Sequence, residues 1–455
     1  MQSRAFIILV ALCLAPFHSP ADAAGWKAGV AKVKITPQQP IWMSGYASRD
    51  RPAEGTLHDL WAKALALEDA DGRRVVLVTA DLCGIDRDVS ERVRGAIRSR
   101  HSLGHADVAI CVSHTHTGPV VGSNLRPMYF LDERQGTLVD EYTRELEGKL
   151  IAVAGEALGA LSPARLEWGR GKATFAVNRR ANREEDVVKL REEGALKGPT
   201  DHDLPVLAVR AADDGVLKAV VFGYACHATT LSFYQWSGDW PGFAQIELEK
   251  AHPGATALFV AGCGADQNPL PRRTVPLAQQ YGQQAAAGVE AVLKSGAGAV
   301  AGRLRTAHSE IELPFASLPA RADLETDAAG KDRYVANRAR FLLQRLDREA
   351  KLPAAYPYPI QVWRLGDEVT VVFLGGEVVV DYALRLKSEL GPGRTWVAAY
   401  ANDVMAYIPS ERVLKEGGYE GGGAMVYYGL PSPWAEGIEE RIVREVHRLA
   451  SEVGQ

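Results

Sequence analysis

Cysteine is scarce in this chain: five residues in 455, at positions 13, 83, 111, 226 and 263. So few exclude a disulfide-dense scaffold, and no two form the C-x-x-C pair that builds a structural zinc knuckle. Cys83, Cys111, Cys226 and Cys263 sit at the ends of apolar runs, which suits buried free thiols at least as well as bridges; the choice stays open. Charge of one sign is also missing. Lys and Arg number 52 against 56 Asp and Glu, a net charge of −4 with no basic block, which argues against a nucleic-acid binder. After the first residues no apolar run reaches the ~18 residues that a membrane-spanning helix needs. There is no internal repeat, no low-complexity tract and no Pro/Ser-rich linker. With 47% hydrophobic and 24% charged residues, one large globular domain is expected over residues 24–455.

The first residues read differently. Met1–Arg4 carry a positive charge, Ala5–Ala15 are apolar, and Ala21-Asp22-Ala23 presents small residues on either side of Asp22. That order is the signature of a cleavable export signal over residues 1–23. It places the mature protein outside the cytoplasm, secreted or periplasmic, without a transmembrane segment.

Short apolar runs alternate with longer amphipathic stretches, an α/β pattern. Strands are expected at Val75–Val78, Val108–Val112, Ala219–Phe222, Ala257–Val260, Val369–Leu374 and Trp396–Ala399. They lack polar alternation, so both faces should be buried. Helical spacing joins Val139, Tyr142, Leu146, Leu150 and Val153, then Val335, Ala339, Leu342 and Leu346, and finally Ile438, Ile442, Val446 and Leu449. The fold expected is a single large α/β domain, a central mixed β-sheet or sheets flanked by helices.

Polar, ligand-type residues stand directly after these strands. Asp81 comes after the first and Ser113-His114-Thr115-His116-Thr117-Gly118-Pro119 after the second; His227 ends the third and Asp266-Gln267-Asn268-Pro269 the fourth. Gly375-Gly376-Glu377 ends the fifth, and Asn402-Asp403 through Tyr407 comes after the sixth. In α/β folds functional groups gather at strand ends, where loops vary over a rigid core. A neutral imidazole is a common zinc ligand, and a neighbouring one can act as acid or base. Spacing alone leaves His114 and His116 open between these roles and ordinary hydrogen-bonded histidines. It also leaves Glu377 open between ligand and loop residue.

Several segments together resemble the neutral (non-lysosomal) ceramidase family, specifically its catalytic N-terminal domain, over about residues 29–429. They are Gly29–Pro37, Ser44-Gly45-Tyr46-Ala47, Thr79-Ala80-Asp81-Leu82, the Ser113–Pro119 segment, and Tyr407 with Tyr419-Glu420-Gly421-Gly422 twelve residues on. The resemblance implies one catalytic Zn²⁺ held by His114, His227, Glu377 and Tyr407. It implies that His116 and Tyr419 line the substrate side and that the arginine of an N-R-S segment falls on Arg179, in Asn178-Arg179-Arg180, whose fork of donors suits orienting a polar part of the substrate. The chain departs from the family at two places. Where the family pattern G-D-x-S-P has a serine assigned a catalytic part, Asn268 stands in Ala265-Asp266-Gln267-Asn268-Pro269; an amide cannot become an alkoxide nucleophile but can donate a hydrogen bond. And the sequence ends one amphipathic helix after the Tyr-Glu-Gly motif, where two-domain relatives continue into a β-sandwich.

The activity implied is that of a secreted zinc-dependent amidohydrolase cleaving an N-acyl bond by attack of zinc-bound water, with ceramide-like lipid the first candidate substrate. The alternatives are hydrolysis of another amide or ester, such as an N-acyl amino acid or sugar-linked amide, and an inactive secreted binding protein on the same fold. The expected partner is a small-molecule or lipid N-acyl substrate and no nucleic acid; the oligomeric state stays open. A deep apolar slot beside the zinc would point to long chains, a polar cleft away from lipid.

Overall fold

The structure is a computed structural model and describes residues 25–455, so Cys13 and the expected export signal at residues 1–23 lie outside the described residues. Nine strands build the larger of two principal sheets. In chain order they are β1 (Trp26–Lys34), β2 (Trp61–Glu68), β3 (Arg74–Ala80), β4 (Val108–Val112), β5 (Ser162–Lys172), β6 (Asp203–Ala211), β7 (Leu217–Tyr224), β8 (Thr256–Ala261) and β9 (Gly298–Val300). Across the sheet the order is β8-β7-β6-β5-β1-β2-β3-β4, with β9 paired to β5. β3 with β4 and β7 with β8 run parallel, each pair joined through a helix, Arg87–His101 and Asp239–Ala251 respectively. The other neighbours are antiparallel. The second sheet is β10 (Leu304–Pro314), β11 (Ala355–Leu365), β12 (Val369–Leu374) and β13 (Thr395–Ala398), in that order.

Side chains on a strand alternate between faces, and here both faces are covered. On β2, Ala62, Ala64 and Ala66 join the core beneath helix Glu133–Gly159, while Leu65 and Leu67 point the other way. There they meet Trp363, Val371, Phe373 and Trp396 of the second sheet. The small alanines let the helix lie close; the leucines and aromatics fill the space between the sheets. Helix Ile438–Gly454 covers the outer face of β10 and β11. The result is four layers: helices, large sheet, small sheet, helices.

All six strands and three helices expected from the sequence are present. Their lack of polar alternation has a structural cause, since a strand between a helix layer and a second sheet meets apolar neighbours on both sides. Sequence reasoning passed over the long antiparallel strands β5, β10 and β11. On β5 and β10 exposed residues interrupt the buried ones and dilute any apolar run; β11, largely buried, carries Pro357 and Pro359, which argue against a strand. Cys83, Cys111, Cys226 and Cys263 are all buried free thiols, which closes the choice that spacing left open. Among the described residues no helix is long and apolar enough to cross a membrane.

Candidate active site

Strands β4, β7 and β12 end on the same rim, and the chain turns sharply after each. After β4 the backbone leaves the sheet through His114, which adopts φ +58°. Left-handed geometry in a residue with a Cβ costs about 1–2 kcal/mol and persists only where the surroundings impose it. Here Ser113 N donates to Ala80 O at 3.0 Å and His116 N to Ala228 O at 3.2 Å, fixing the turn on both sides. After β7, His227 is held by its own N–H on Gln267 O (2.9 Å) and by Trp240 Nε1 donating to its carbonyl (2.9 Å). After β12, Gly376 takes φ +75°, and a Cβ there would stand 2.7 Å from Ala406 O. That close approach lets Glu377–Val378 pair in parallel with Tyr407–Ile408, Glu377 directly beside Tyr407.

These turns bring His114, His227 and Glu377 together, their ligand-type atoms within 4.8 Å of one another and all three buried. Glu377 Oε2 lies 3.0 Å from His114 Nε2 and 3.2 Å from His227 Nε2. His114 Nδ1 faces Cys83 O at 2.6 Å and His227 Nδ1 faces Gly264 O at 2.7 Å. Carbonyls only accept, so both Nδ1 atoms carry hydrogen, and the Nε2 atoms are the ones placed to offer lone pairs to a cation at the centre. Glu377 Oε2 has no donor, while its Oε1 accepts from the Tyr428 hydroxyl. Converging lone pairs on two imidazoles and a carboxylate are stabilised only by a cation or a proton among them. The carbonyl-fixed tautomers are also the support that histidine ligands characteristically have. The donor set therefore fits a divalent ion such as Zn²⁺.

The titration of the groups carries the same signature. Burial opposes charge on His114, but the Glu377 carboxylate and the Cys83 group outweigh it and raise its pKa to about 10. Burial and the Arg179 cation press His227 down to about 4. Glu377 is held well below the usual carboxylate range because the two histidines overcome the cost of burying it. Burial and the neighbouring His114 and His227 keep His116 neutral. Cys83, whose Sγ lies 3.8 Å from His114 Nδ1, forms a second cluster with His114 and His116. That cluster is not a ligand set, because the nitrogen facing the thiol already donates to a carbonyl.

Around this centre the structure places the other residues singled out from the sequence. Tyr407 is buried, its hydroxyl 3.4 Å from His227 Nε2 and 3.1 Å from Arg179 Nη2, which donates to it. Arg179 also donates to Glu420 Oε1 (2.7 Å) and Asn268 Oδ1 (3.2 Å). His116 Nε2 sits 3.1 Å from His114 Nε2 and its Nδ1 has no partner. Tyr419 stacks edge-on to Tyr407, centroids 5.2 Å apart, and is 45% exposed. Asp81, Asp266 and Asn402 do not reach the centre. Asp81 accepts from Trp61 N, Asp266 from Val380 N and Asn178 Nδ2, and Asn402 from Ile110 N; each ties segments of the rim together.

Sequence reasoning missed four supports. Tyr428 bonds Glu377, Glu420 clamps Arg179, Arg49 Nη2 donates to His116 O at 2.8 Å, and Gly45 packs against the His116 ring. Only Gly45 and Glu420 lay inside recognised motifs.

With this geometry in view, the sequence comparisons give the class. Residues 26–309 match the profile described as neutral/alkaline non-lysosomal ceramidase, N-terminal, and the chain belongs to that family. It is 27% identical over 265 residues to the neutral ceramidase of Pseudomonas aeruginosa, covering 55% of this chain and 38% of that relative. Against the neutral ceramidase of Oryza sativa subsp. japonica it is 25% identical over 237 residues, 51% of this chain and 29% of the relative. The chain thus matches well under half of the length of either. The crystal structure of the Pseudomonas aeruginosa neutral ceramidase superposes with a TM-score of 0.72 at 19% identity, over 94% of this chain and 74% of that one. The fold is shared.

Proposed function

We propose that this protein is a zinc-dependent amidohydrolase that cleaves an N-acyl bond, with ceramide-like lipid the first substrate class to test. The observation that carries it is the convergence of His114 Nε2, His227 Nε2 and Glu377 Oε2 beside the Tyr407 hydroxyl. Those four residues would hold the ion. Bound there, zinc supplies Lewis acidity, lowering the pKa of water toward neutrality and polarising the carbonyl.

The chain's own groups do the rest. His116, neutral and with Nε2 facing the centre, takes the proton of the attacking water and returns it to the departing nitrogen. The new C–O bond forms first, and the C–N bond breaks as the tetrahedral intermediate collapses, leaving a carboxylic acid and an amine. The Tyr419 hydroxyl, on the solvent side of Tyr407, donates to the oxyanion of the tetrahedral intermediate. Arg179 is locked by three partners and keeps the Tyr407 hydroxyl and Asn268 in place. Asn268 has no nucleophilic oxygen, so attack by water is the route its side chain permits.

Metal analysis together with turnover of an N-acyl panel tests this. The mature protein should carry about one zinc, and His114→Ala should lose both metal and activity. Metal-free protein that still turns substrate over, or an unaltered His114→Ala, would overturn the proposal. Export belongs to the same reading, motivated by residues 1–23; an N-terminus at Ala24 in the extracytoplasmic fraction is the expected finding, and an intact Met1 in the cytoplasm refutes it.

A further inference from the structure

Beside Tyr419 lies an open cavity of about 740 Å³. It adjoins the centre directly, because Arg179, Asn268, Tyr419 and Glu420 belong to both. Its wall is not apolar. Arg180 pairs with Glu420 at 2.6 Å and Glu416 at 3.0 Å, and Arg272 pairs with Glu184 at 2.9 Å. With Arg179, Arg183 and Glu185 added, four arginines face four glutamates, and one leucine is the sole aliphatic side chain of the lining. An alkyl chain seated there would strip water from these ion pairs and give nothing polar in return. A head group carrying its own charge replaces that water with charge-assisted hydrogen bonds.

Asn268 sharpens the choice. Arg179 can only donate, so the Asn268 atom it touches at 3.2 Å is the carbonyl oxygen. The amide NH₂ is therefore the end left to face the cavity, a fixed donor where the family pattern has serine. Tyr419 also begins a run of a different kind. Tyr419, Tyr427, Tyr334 and Phe130 follow one another at centroid separations of 6.1, 5.3 and 5.7 Å, ending at a Phe130 that is 40% exposed. Arg333 covers the far end, its guanidinium 4.5 Å from the Phe130 centroid and 4.8 Å from that of Tyr334, so the run offers aromatic rings beside the centre where the cavity offers charge.

We propose that the substrate class is N-acyl amino acids: the acyl chain lies along the aromatic run, and the amino-acid carboxylate enters the charged cavity, where the Asn268 NH₂ recognises it. The carboxylate carbon of such a substrate is two bonds from the scissile nitrogen, so its receptor must stand close to the centre, as Asn268 does, linked through Arg179 to the Tyr407 hydroxyl beside His227. The balanced lining also complements the released zwitterion, with glutamates for its ammonium and arginines for its carboxylate. Hydrolysis consumes one water, forms the acyl C–O bond, breaks C–N and yields a fatty acid and an amino acid. This assignment rests on the amidohydrolase reading above and names its substrate.

The test compares N-dodecanoylglycine, N-dodecanoylethanolamine, N-dodecanoylglucosamine and dodecanoyl-ceramide with the zinc-loaded protein. The expected kcat/KM for the glycine conjugate exceeds that for the ethanolamide by about 10-fold, one charge-assisted hydrogen bond, and exceeds that for ceramide by more. Asn268→Asp, nearly isosteric, should lower the glycine-to-ethanolamide ratio about 10-fold through KM. Arg272→Gln at the rim should lower it about 3-fold. The ratio is independent of how much of each variant is folded. Equal or better turnover of ceramide or of the glucosamine amide, or a ratio unchanged in Asn268→Asp, overturns the assignment and leaves the hydrolase reading intact. If no amide is cleaved the hydrolase reading fails instead. Calorimetric titration with the glycine and ethanolamine conjugates then decides the cavity's preference, equal binding refuting it.

Discussion

Replacing Gly45 with alanine should disable the site without touching a proposed metal ligand. Gly45 holds φ +96°, and a Cβ there would lie 2.4 Å from His116 Cγ, 2.6 Å from Nδ1 and 2.8 Å from Cβ. The backbone has no room to retreat, because Ser44 N donates to Gly118 O at 2.8 Å and Gly45 N to the Tyr129 hydroxyl at 2.7 Å. The ring must yield, against Tyr46 at a centroid distance of 4.7 Å and His114 beyond it. Left-handed strain costs about 1–2 kcal/mol and overpacking about 1–3 kcal/mol, so a stability loss of about 2–5 kcal/mol is expected. A catalytic group displaced by about 1 Å costs on the order of 100-fold in rate. Gly254 provides the control. It has φ +92°, is exposed and would meet nothing within 4 Å of an added Cβ, so Gly254→Ala measures the strain alone. Urea unfolding and kcat of the two variants, with zinc content measured alongside, separate the effects. If Gly45→Ala loses no more stability than Gly254→Ala and keeps its kcat, His116 is not held as described.

Tyr428→Phe removes the hydroxyl that orients Glu377; zinc affinity measured by competition with a chelator should fall about 10–100-fold, with the fold unchanged by circular dichroism. Lys387 is buried against Asp201 Oδ2 at 2.6 Å and Asp203 Oδ2 at 2.8 Å. Lys387→Met should cost about 3–5 kcal/mol in denaturant unfolding, because two carboxylates lose their cation. Asp403, beneath the Tyr356 hydroxyl, is pushed up to about 8 by burial. The folded protein keeps that proton between pH ~4 and pH ~8 while the unfolded chain, whose ordinary aspartate titrates near 3.9, has released it. Stability from this group is therefore full below pH ~4 and is lost as pH rises to about 8. Asp403→Asn should flatten that part of the stability–pH curve, and an unchanged slope would show that Asp403 is ionised in the fold.

Much of the layer structure was legible locally. Apolar runs such as Val75–Val78 and Val369–Leu374 declare strands buried on both faces, and the spacing of Ile438, Ile442, Val446 and Leu449 declares a helix face, since burial of one face imposes a period of 3.6 on a helix. The Ser113–Pro119 motif, His227 after β7 and Glu377 after a double glycine were visible as polar groups at strand ends. Their family context assigned the roles. What no local pattern contains is distance between segments.

That division sets what each level decided about this protein. The sequence alone determined six buried strands, three helices, the family and which imidazoles and carboxylate to watch, because those depend on neighbours along the chain. Only the tertiary structure brought residues 114, 227, 377 and 407 into one centre, set Glu377 beside Tyr407 in register and put Tyr428 on its carboxylate. Only it gathered four arginines and four glutamates into a single polar cavity. Composition had reported the same balance over the whole chain, a net charge of −4, without any sign of where the charges meet. Coordination and substrate choice are matters of a few ångströms across the fold, and packing between distant segments is what supplies those ångströms.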